Sequence, residues 1–330
     1  MTYSSGQLIE AVDYNGFANN TAGANVNTVW GTGSGDAGWG QASTLTTVAA
    51  GTDVTATQWA NLNSRITSMA LQTSTTITSR TNPVVGDIIG ILSAVNTDLT
   101  NCTTNRGNAA ASGTISDTWT GSTAKITATG SGQAAWTIEW THVITFPSAD
   151  QARYFWNAGG LVRLDMSKSV NFTDADPDWN SFVGTVGVLY MSGRVNNASQ
   201  TIAGATYTGF TRSVAPPPVA STTGWYTLGA GAPATTMFQI NDTVSPYSGN
   251  FIRVTAAVNA GRTTLTLVTT WSSSGTSIPG STANISGGTD TASPYVSFGT
   301  APAVLCRFIP PATTTLTNSW GTPTIAATTV

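Results

Sequence analysis

The segment from Trp136 to Phe146 constrains the fold more than any other part of this 330-residue chain. Trp136, Ile138, Trp140, His142, Ile144 and Phe146 alternate there with Thr, Glu and Val. A two-residue period is typical of a β-strand that buries one face, and Pro147 ends the pattern. Similar short patterns, separated by Gly, Ser, Asn and Pro, predict further strands at 161–166 and near 184–191, 202–210, 235–240, 250–258, 263–272 and 303–308. Their number and spacing predict a mainly β fold, an antiparallel β-sandwich or jelly-roll-like region.

Two helices are predicted before this β-rich region. Thr55 and Gln58 have the spacing of a capping box, and Pro83 after Asn82 is typical of a first helical turn. The first helix has an apolar stripe of Trp59, Leu62, Ile66 and Met69, and the second, from Pro83 or Val84 to Cys102, has one of Ile88, Leu92, Val95, Leu99 and Cys102. The two stripes predict either an antiparallel helical hairpin within the chain or a second helix that packs against its own copies.

The chain therefore divides into an N-terminal docking region, 1–110, and a β-rich domain, 111–330. Within the second, Ser148 and Gln151 form another capping box, which opens a short helix that Gly159 and Gly160 close. Residues 174–183 are predicted to be a loop that enters a helical turn. The stretch 215–218 is either a linker or, since similar strands flank it, a long loop.

Charge is scarce, because only 12 basic and 15 acidic residues occur in the whole chain. A nucleic-acid-binding protein needs a basic surplus, so that class is excluded. The apolar run 83–99 is too short to cross a bilayer, and the first residues lack the basic and apolar regions of a secretory signal, so neither a membrane span nor a signal peptide is expected. A neutral polar surface favours subunits packed among copies, and a homo-oligomer, trimeric or in a ring, is the prediction.

Catalytic groups are equally scarce. Glu10, Glu139 and His142 are the only residues of their kinds. Glu139 and His142 are three residues apart on one predicted strand, so they point to opposite faces and cannot form a dyad. The sequence therefore predicts a protein that is not an enzyme and that uses no cofactor.

Two motifs suggest ligands at first sight. Gly33, Gly35 and Gly38 match the spacing of a dinucleotide-binding loop, but no strand precedes them, so a tight loop pinned by Trp30 and Trp39 is the interpretation. Asp174, Asp176 and Asp178 begin like a calcium loop, but Trp179 stands where that loop needs glycine. No metal site is predicted.

The tryptophans are divided between two roles. Trp136 and Trp140 alternate with isoleucines, which favours the core. Trp225 and Trp271 lie nearer to predicted turns and are the candidates for an exposed surface that stacks on a host-surface glycan. The two cysteines are expected to be reduced and structural.

Several segments resemble virion structural proteins of tailed phages, notably phages of cyanobacteria and marine bacteria. They are the segment 26–41 with its Trp30–Trp39 loop, the segment 54–62, residues 104–106, and above all 152–163 followed by 178–180. The segment 152–163 is similar to a signature in which an aromatic pair and an Asn-Ala-Gly-Gly turn link a short helix to a strand. Its signature positions are Arg153, Tyr154, Phe155, Trp156, Asn157, Gly159 and Gly160.

The resemblance covers roughly the first 190 residues, and Leu161 stands where the family usually has an acidic residue. It implies a tail, neck or fibre-associated subunit of the virion, with other virion proteins as partners and no assigned catalytic residue. The loop around Trp30, Gly33, Gly35 and Trp39 is the predicted docking element. A glycan-binding module for host recognition and a polysaccharide depolymerase are the alternatives.

Overall fold

The computed structural model describes residues 11–19, 25–42, 45–85, 92–109, 119–125, 136–167, 175–193, 198–213, 219–244, 248–273 and 303–329. Within these ranges the helices are α1 Ala11–Asn19, α2 Val26–Val29, α3 Ala56–Thr73, α4 Leu92–Thr104, α5 Ala149–Asn157 and α6 Ala175–Val186. The strands are β1 Trp119–Lys125, β2 Trp136–Thr145, β3 Leu161–Ser167, β4 Leu189–Met191, β5 Gln200–Ile202, β6 Ala205–Tyr207, β7 Phe210–Arg212, β8 Val219–Ser221, β9 Thr235–Asn241, β10 Phe251–Val258, β11 Thr264–Ser273, β12 Ala303–Ile309 and β13 Thr324–Thr329.

The strands form two principal sheets, and their pairings are antiparallel. Sheet A has the order β1-β12-β3-β4-β7-β8, and sheet B has the order β13-β2-β11-β10-β9. At the margins, β1 lies beside β13 and β8 lies beside β9. The predicted mainly β fold with antiparallel sheets is confirmed, while the jelly-roll connectivity stays a prediction.

Sheet B follows from the two-residue alternation of its sequence. On β10 and β11, buried and partly exposed side chains alternate along the strand. Ile138, Trp271 and Ile252 occupy one row across β2, β11 and β10, and all three are buried. Because alternate side chains point to opposite faces, this register puts the apolar set inside and most of the threonines outside, with Thr269 as a buried exception.

The capping box of α3 is confirmed. The Thr55 hydroxyl accepts a hydrogen bond from the Gln58 amide, and the Gln58 side chain accepts one from the Thr55 amide. The stripe of α3 is buried along its length. α3 and α4 pack against each other and also contact α1, so α4 has partners within the chain.

The predicted start of the second helix at Pro83 or Val84 is wrong. Residues 81–85 are not helical, and α4 is described from Leu92. The Asn82 side chain is used in a 3.4 Å hydrogen bond from Asn63 on α3, so it does not cap a helix. Ile88 lies outside the described residues, as does the side chain of Leu92.

Two other predicted elements change type. The segment 174–183 is predicted to be a loop that enters a short helical turn, but the helix α6 occupies 175–186, so the strand predicted at 184–191 is reduced to β4. The strand predicted at 202–210 is divided by a two-residue turn at Ala203 and Gly204 into β5 and β6. Both turn residues have positive φ, +49° and +81°, which is the geometry of a tight hairpin turn.

One hydrophobic core spans the predicted boundary at residue 110. It includes Trp59 and Leu62 of α3 together with Leu267 and Trp271 of β11. The helical N-terminal part and the sheets are therefore packed together in the described chain. Among the described helices, none has the length and apolar character needed to cross a bilayer.

Candidate functional site

The Gly/Trp loop is closed on itself by backbone hydrogen bonds. The amides of Trp39, Gly40 and Gln41 donate to Val29, Gly31 and Trp30 at 2.8–3.0 Å. Trp30 and Trp39 are both buried and meet edge to face at 6.2 Å between ring centroids. The interpretation of a tight loop pinned by these two tryptophans is confirmed.

Two glycines of this loop are required by close backbone approach. A Cβ on Gly38, which has φ +91°, would lie 2.2 Å from the Thr32 carbonyl oxygen, and one on Gly33 would lie 2.4 Å from that of Thr28. Gly35 also has positive φ, +57°, but open space surrounds it. The spacing that resembles a dinucleotide loop is thus explained by the fold of the loop itself.

Helix α5, in the signature segment, ends where the sequence predicts. Ser148 caps its N-terminus by accepting from the Gln151 amide at 3.1 Å. At the other end, the Gly160 amide donates to the Phe155 carbonyl and the Gly159 amide to the Trp156 carbonyl, the two bonds of a Schellman motif. The helix therefore places positions 153 and 157, which are four residues apart, on one face.

Arg153 holds the loop from this helix face. Its guanidinium donates to the carbonyl oxygens of Ala37 at 2.7 Å and Thr32 at 2.9 Å, and to Asp150 at 3.0 Å. These carbonyls belong to a segment without sheet or helix partners, so the side chain replaces a regular backbone ladder.

Asn157, which is buried, also binds the Gly/Trp loop from the same face of α5. Its Nδ2 donates to the carbonyls of Gly38 at 3.0 Å and Ala37 at 3.1 Å, while its backbone carbonyl accepts from the Trp39 indole at 3.1 Å. The Tyr226 hydroxyl donates to Asn157 Oδ1. We call Arg153, Asn157 and Tyr226 with loop residues 32–38 the clasp.

Further bonds surround the clasp. Arg106 donates to both carboxylate oxygens of Asp36 at 3.0 Å. Gln41 binds Thr317 in both directions, donating to its carbonyl at 3.1 Å and accepting from its amide at 2.8 Å. The ring of Tyr154 lies against Gly40, where a Cβ would approach it to 2.3 Å.

Trp225 is not exposed, so its prediction as a glycan contact is wrong. It keeps only 2% of its surface accessible and stacks on Trp156 at 5.6 Å, within an aromatic cluster that includes Phe146 and Phe155. It follows Gly224 in a turn, but the turn lies over the core, and Arg262 donates to its backbone carbonyl at 3.1 Å.

Trp271 is likewise buried, with no accessible surface. It lies on the inward face of β11, not in a turn, and stacks on Trp179 with an interplanar angle of 13°. The Trp140 ring lies tilted against it, with 5.0 Å between the ring centroids. Its prediction as an exposed glycan contact is wrong because β11 continues past it to Ser273.

The helix-interface residues that the structure describes are buried as expected. Trp59, Leu62 and Ile66 on α3 and Val95 and Leu99 on α4 each keep 3% or less of their surface. They belong to the common core. These residues therefore stabilise the chain itself.

A buried polar group lies beside this helix pair. Arg80 forms an ion pair with Asp98, whose two carboxylate oxygens also accept from the Thr78 amide at 3.1 and 3.2 Å. Burial lowers the pKa of Arg80 and raises the pKa of the nearby Cys102 thiol to about 11. Cys102 and Cys306 are both buried and free.

Among the residues that the structure describes, Glu139 and His142 do not lie together in a cleft. Glu139 accepts from Thr270 at 2.9 Å on the outside of sheet B, while His142 points inward and is fully buried. Burial raises the pKa of Tyr226 and of Cys306, which favours their neutral forms. Within the described ranges no three His, Cys, Asp or Glu residues are placed to hold a metal ion.

Two surface grooves are present among the described residues. One, of about 230 Å³, lies along Ala70, Leu71 and Ile77, and another, of about 180 Å³, lies between Phe182 and Val244. Neither includes a residue of the clasp.

No protein-family model, no curated protein and no solved structure matches the chain. Sequence reasoning named Arg153 and Asn157 but missed Tyr226, Asp36 and Arg106 as their companions. The only sequence signal for Tyr226 was its position beside Trp225.

Proposed function

We propose that this protein is a structural subunit of a tailed-phage virion, a tail-, neck- or fibre-associated component that assembles on the particle with its own copies and with other virion proteins. The clasp is the observation that supports this most. The signature segment 152–163, through which the chain resembles such proteins, supplies Arg153 and Asn157, and both bind backbone carbonyls of the Gly/Trp loop. Arg153 and Asn157 therefore hold the Gly/Trp loop in its conformation.

The charge balance supports the same proposal. Only 8% of the residues are charged, and threonine dominates the outward faces of sheet B. Short β-branched side chains lose little rotamer freedom when surfaces pack together, unlike lysine or glutamate. Such a surface suits a subunit surrounded by neighbours.

The glycan-binding and depolymerase alternatives have less support among the described residues. The two tryptophans assigned to glycan contact are buried. A retaining or inverting glycosidase needs two carboxyl groups about 5–9.5 Å apart in a cleft. Of the two grooves described above, one is lined by a single carboxylate, Asp242, and the other by none.

The direct test is to locate the chain in intact particles. Electron cryomicroscopy of particles, with mass spectrometry of their purified proteins, is expected to find it as an ordered, repeated subunit. Its absence from purified particles would refute the proposal. An epitope inserted at the exposed Gly51–Thr52 turn gives an independent label.

The loop itself offers a second test of assembly. Removing residues 25–42 would also remove core residues such as Trp39, so a deletion cannot separate docking from folding. The exposed residue Ser34 at the loop tip is a better site, because Ser34→Arg leaves the clasp bonds in place. If the loop docks to the particle, this variant folds normally but is incorporated poorly; a matched change at exposed Asp53→Arg is expected to be incorporated normally.

A further inference from the structure

The outward face of sheet B carries mostly short, neutral side chains and very few charges. The described inward side chains of β2, β10 and β11 are buried, whereas the outward ones are partly or fully exposed, with Thr270 as the exception. The outward side chains on the five strands are Thr137, Glu139, Thr141, Val143, Thr145, Phe251, Arg253, Thr255, Ala257, Thr264, Thr266, Val268, Thr270, Ser272, Thr236, Gln239, Asn241, Thr324, Ala326 and Thr328. Glu139 and Arg253 are the charged residues of this set.

These two charges are placed symmetrically. Thr270 pairs with Glu139 on one side and with Arg253 on the other, so all three lie in one row across the sheet. Thr270 belongs to β11, which is the middle strand of the five. Glu139 and Arg253 are therefore one strand to either side of the sheet's central line.

We propose that this face packs against the same face of a second copy, about a two-fold axis that runs along β11. Rotation about that axis exchanges the two sides of the sheet. Each Glu139 is then opposite Arg253 of the other copy, and the opposite-charge contact occurs twice. The other two-fold axis within the interface runs perpendicular to the strands, along the row of Glu139, Thr270 and Arg253. Rotation about that axis would place Glu139 opposite Glu139 and Arg253 opposite Arg253. The charge pattern therefore favours the axis along β11.

The size and packing of the face agree with this. Strands rise about 3.4 Å per residue and lie about 4.8 Å apart, so a sheet with strands of six to ten residues presents roughly 700 Å². A standard interface buries about 800 Å² per partner. Two such sheets stack with their strands within about 30° of each other, and the Thr, Val and Ala side chains at the centre are short and rigid.

The two partners of the contact are held in position. Glu139 accepts from Thr270 at 2.9 Å, and the Arg253 guanidinium lies 5.3 Å from the centroid of the Phe251 ring. Both remain partly exposed. Each side chain is thus oriented on its own sheet yet accessible to a second copy.

This inference deepens the proposed assembly role and rests on it. The test is the dissociation constant of the full-length chain, measured by sedimentation. Glu139→Arg and Arg253→Glu each place like charges together twice, and each is expected to weaken self-association by about a hundredfold or more. The double variant Glu139→Arg with Arg253→Glu restores opposite charges and is expected to associate like the unchanged protein. Asp53→Arg, at an exposed position before α3, is the matched control and has no effect.

Cross-linking keeps the test independent of folding defects in the charge variants. Thr266 lies on β11, close to the proposed axis, and is partly exposed. Thr266→Cys is expected to give a covalent dimer with a short bifunctional maleimide, whereas Asn61→Cys, exposed on α3, gives none. A chain that stays monomeric, or a trimer insensitive to both charge reversals, overturns the two-fold contact. Incorporation into particles is measured separately, so the failure of one proposal is distinguishable from the failure of the other.

Discussion

The backbone groups of the clasp and those of sheet B find their hydrogen-bond partners in opposite ways. In sheet B, neighbouring strands provide the partners in a continuous register, as between β2 and β11. In the clasp, the carbonyls of residues 32–38 are bound by the side chains of Arg153 and Asn157, which lie 116–122 residues away in sequence, and by that of Tyr226, which lies 191 residues away. A sheet distributes its stability over many equivalent bonds, whereas the clasp concentrates it in a few side chains. The two regions should therefore respond differently to single substitutions.

The largest effect is expected in sheet B, from Trp271→Ala. Trp271 is fully buried between Trp179 and Trp140, and removal of a buried tryptophan leaves a cavity that costs about 4 kcal/mol of unfolding free energy. Denaturant unfolding measures it. Thr141→Ala, outward on the neighbouring strand, is the control and should change stability by at most about 0.5 kcal/mol. If Trp271→Ala is as mild as this control, Trp271 is not in the core.

Asn157→Leu tests the clasp in the same way. The leucine leaves the Gly38 carbonyl without its side-chain donor and removes the acceptor of Tyr226, which together cost about 3 kcal/mol. The loss should also be local: hydrogen exchange at the Trp39 and Gln41 amides becomes faster, while that of Ile252 in sheet B stays slow. Equal acceleration in both places would show that the two regions unfold as one unit.

A pair of glycine substitutions sharpens the description of the clasp. Gly38→Ala is expected to lower the free energy of unfolding by about 2 kcal/mol or more, for two reasons. The added Cβ would collide with the Thr32 carbonyl, and the alanine would have to adopt a positive φ. Gly35→Ala has only the conformational cost, about 1 kcal/mol, since open space surrounds it. Thermal unfolding of both variants gives the difference. Equal losses would mean that the loop relaxes around the added methyl group.

The stability at alkaline pH allows the sheets and the clasp to be compared, because each region contains a buried group that titrates there. Burial raises the pKa of Cys306 in sheet A above its ordinary 9.0 and that of Tyr226 in the clasp above 10.0. The unfolded chain therefore loses these protons first, and stability falls as pH rises, above 9 for Cys306 and above 10 for Tyr226. The slope is at most about 1.4 kcal/mol per pH unit for Cys306.

Variants separate the two contributions. Cys306→Ala should reduce the slope of the stability profile from pH 9 upward and leave the part that buried Cys102 contributes, whereas Tyr226→Phe should reduce the slope only from pH 10. Urea unfolding midpoints between pH 8 and 11 provide the measurement. Profiles that keep the unchanged protein's slope in both variants would assign the alkaline loss to other groups.

The smallest effect is expected from the ion pair at the edge of the clasp. Arg106 and Asp36 keep 16% and 17% of their side chains exposed, so their contact is partly screened by solvent. A double-mutant cycle with Arg106→Gln and Asp36→Asn should give a coupling of about 1 kcal/mol or less, which declines with added salt. A salt-independent coupling would contradict a solvent-screened pair.

The sequence predicted those elements whose determinants are local. Thr55 and Ser148 are followed three residues later by glutamine, and α3 and α5 begin there. The alternation around Ile138 and Trp140 predicted β2 at almost its observed bounds. Periodicity and capping depend on residues a few positions apart, so one sequence is enough to detect them.

The missed features depend on distant partners. β13 consists of Thr and Ala around one Ile and becomes a strand because β2 offers an open edge. The helix predicted to start at Pro83 begins later, and Asn82 binds Asn63 on α3. Trp225 lies in a turn and is buried all the same, since its ring stacks on that of Trp156. Proximity to a turn in sequence does not determine which side of that turn meets solvent.

The bonds between Gln41 and Thr317 affect the order in which the protein can fold during its synthesis. The two residues are separated by 276 positions. At translation rates of about 5–20 residues per second, Gln41 is made roughly 15–55 s before its partner. The Gly/Trp loop can close on itself at once, but its final attachment waits for the last strands. A chain cut short before Thr317 therefore lacks this attachment, and only a subunit translated past that point presents the finished structure to its neighbours.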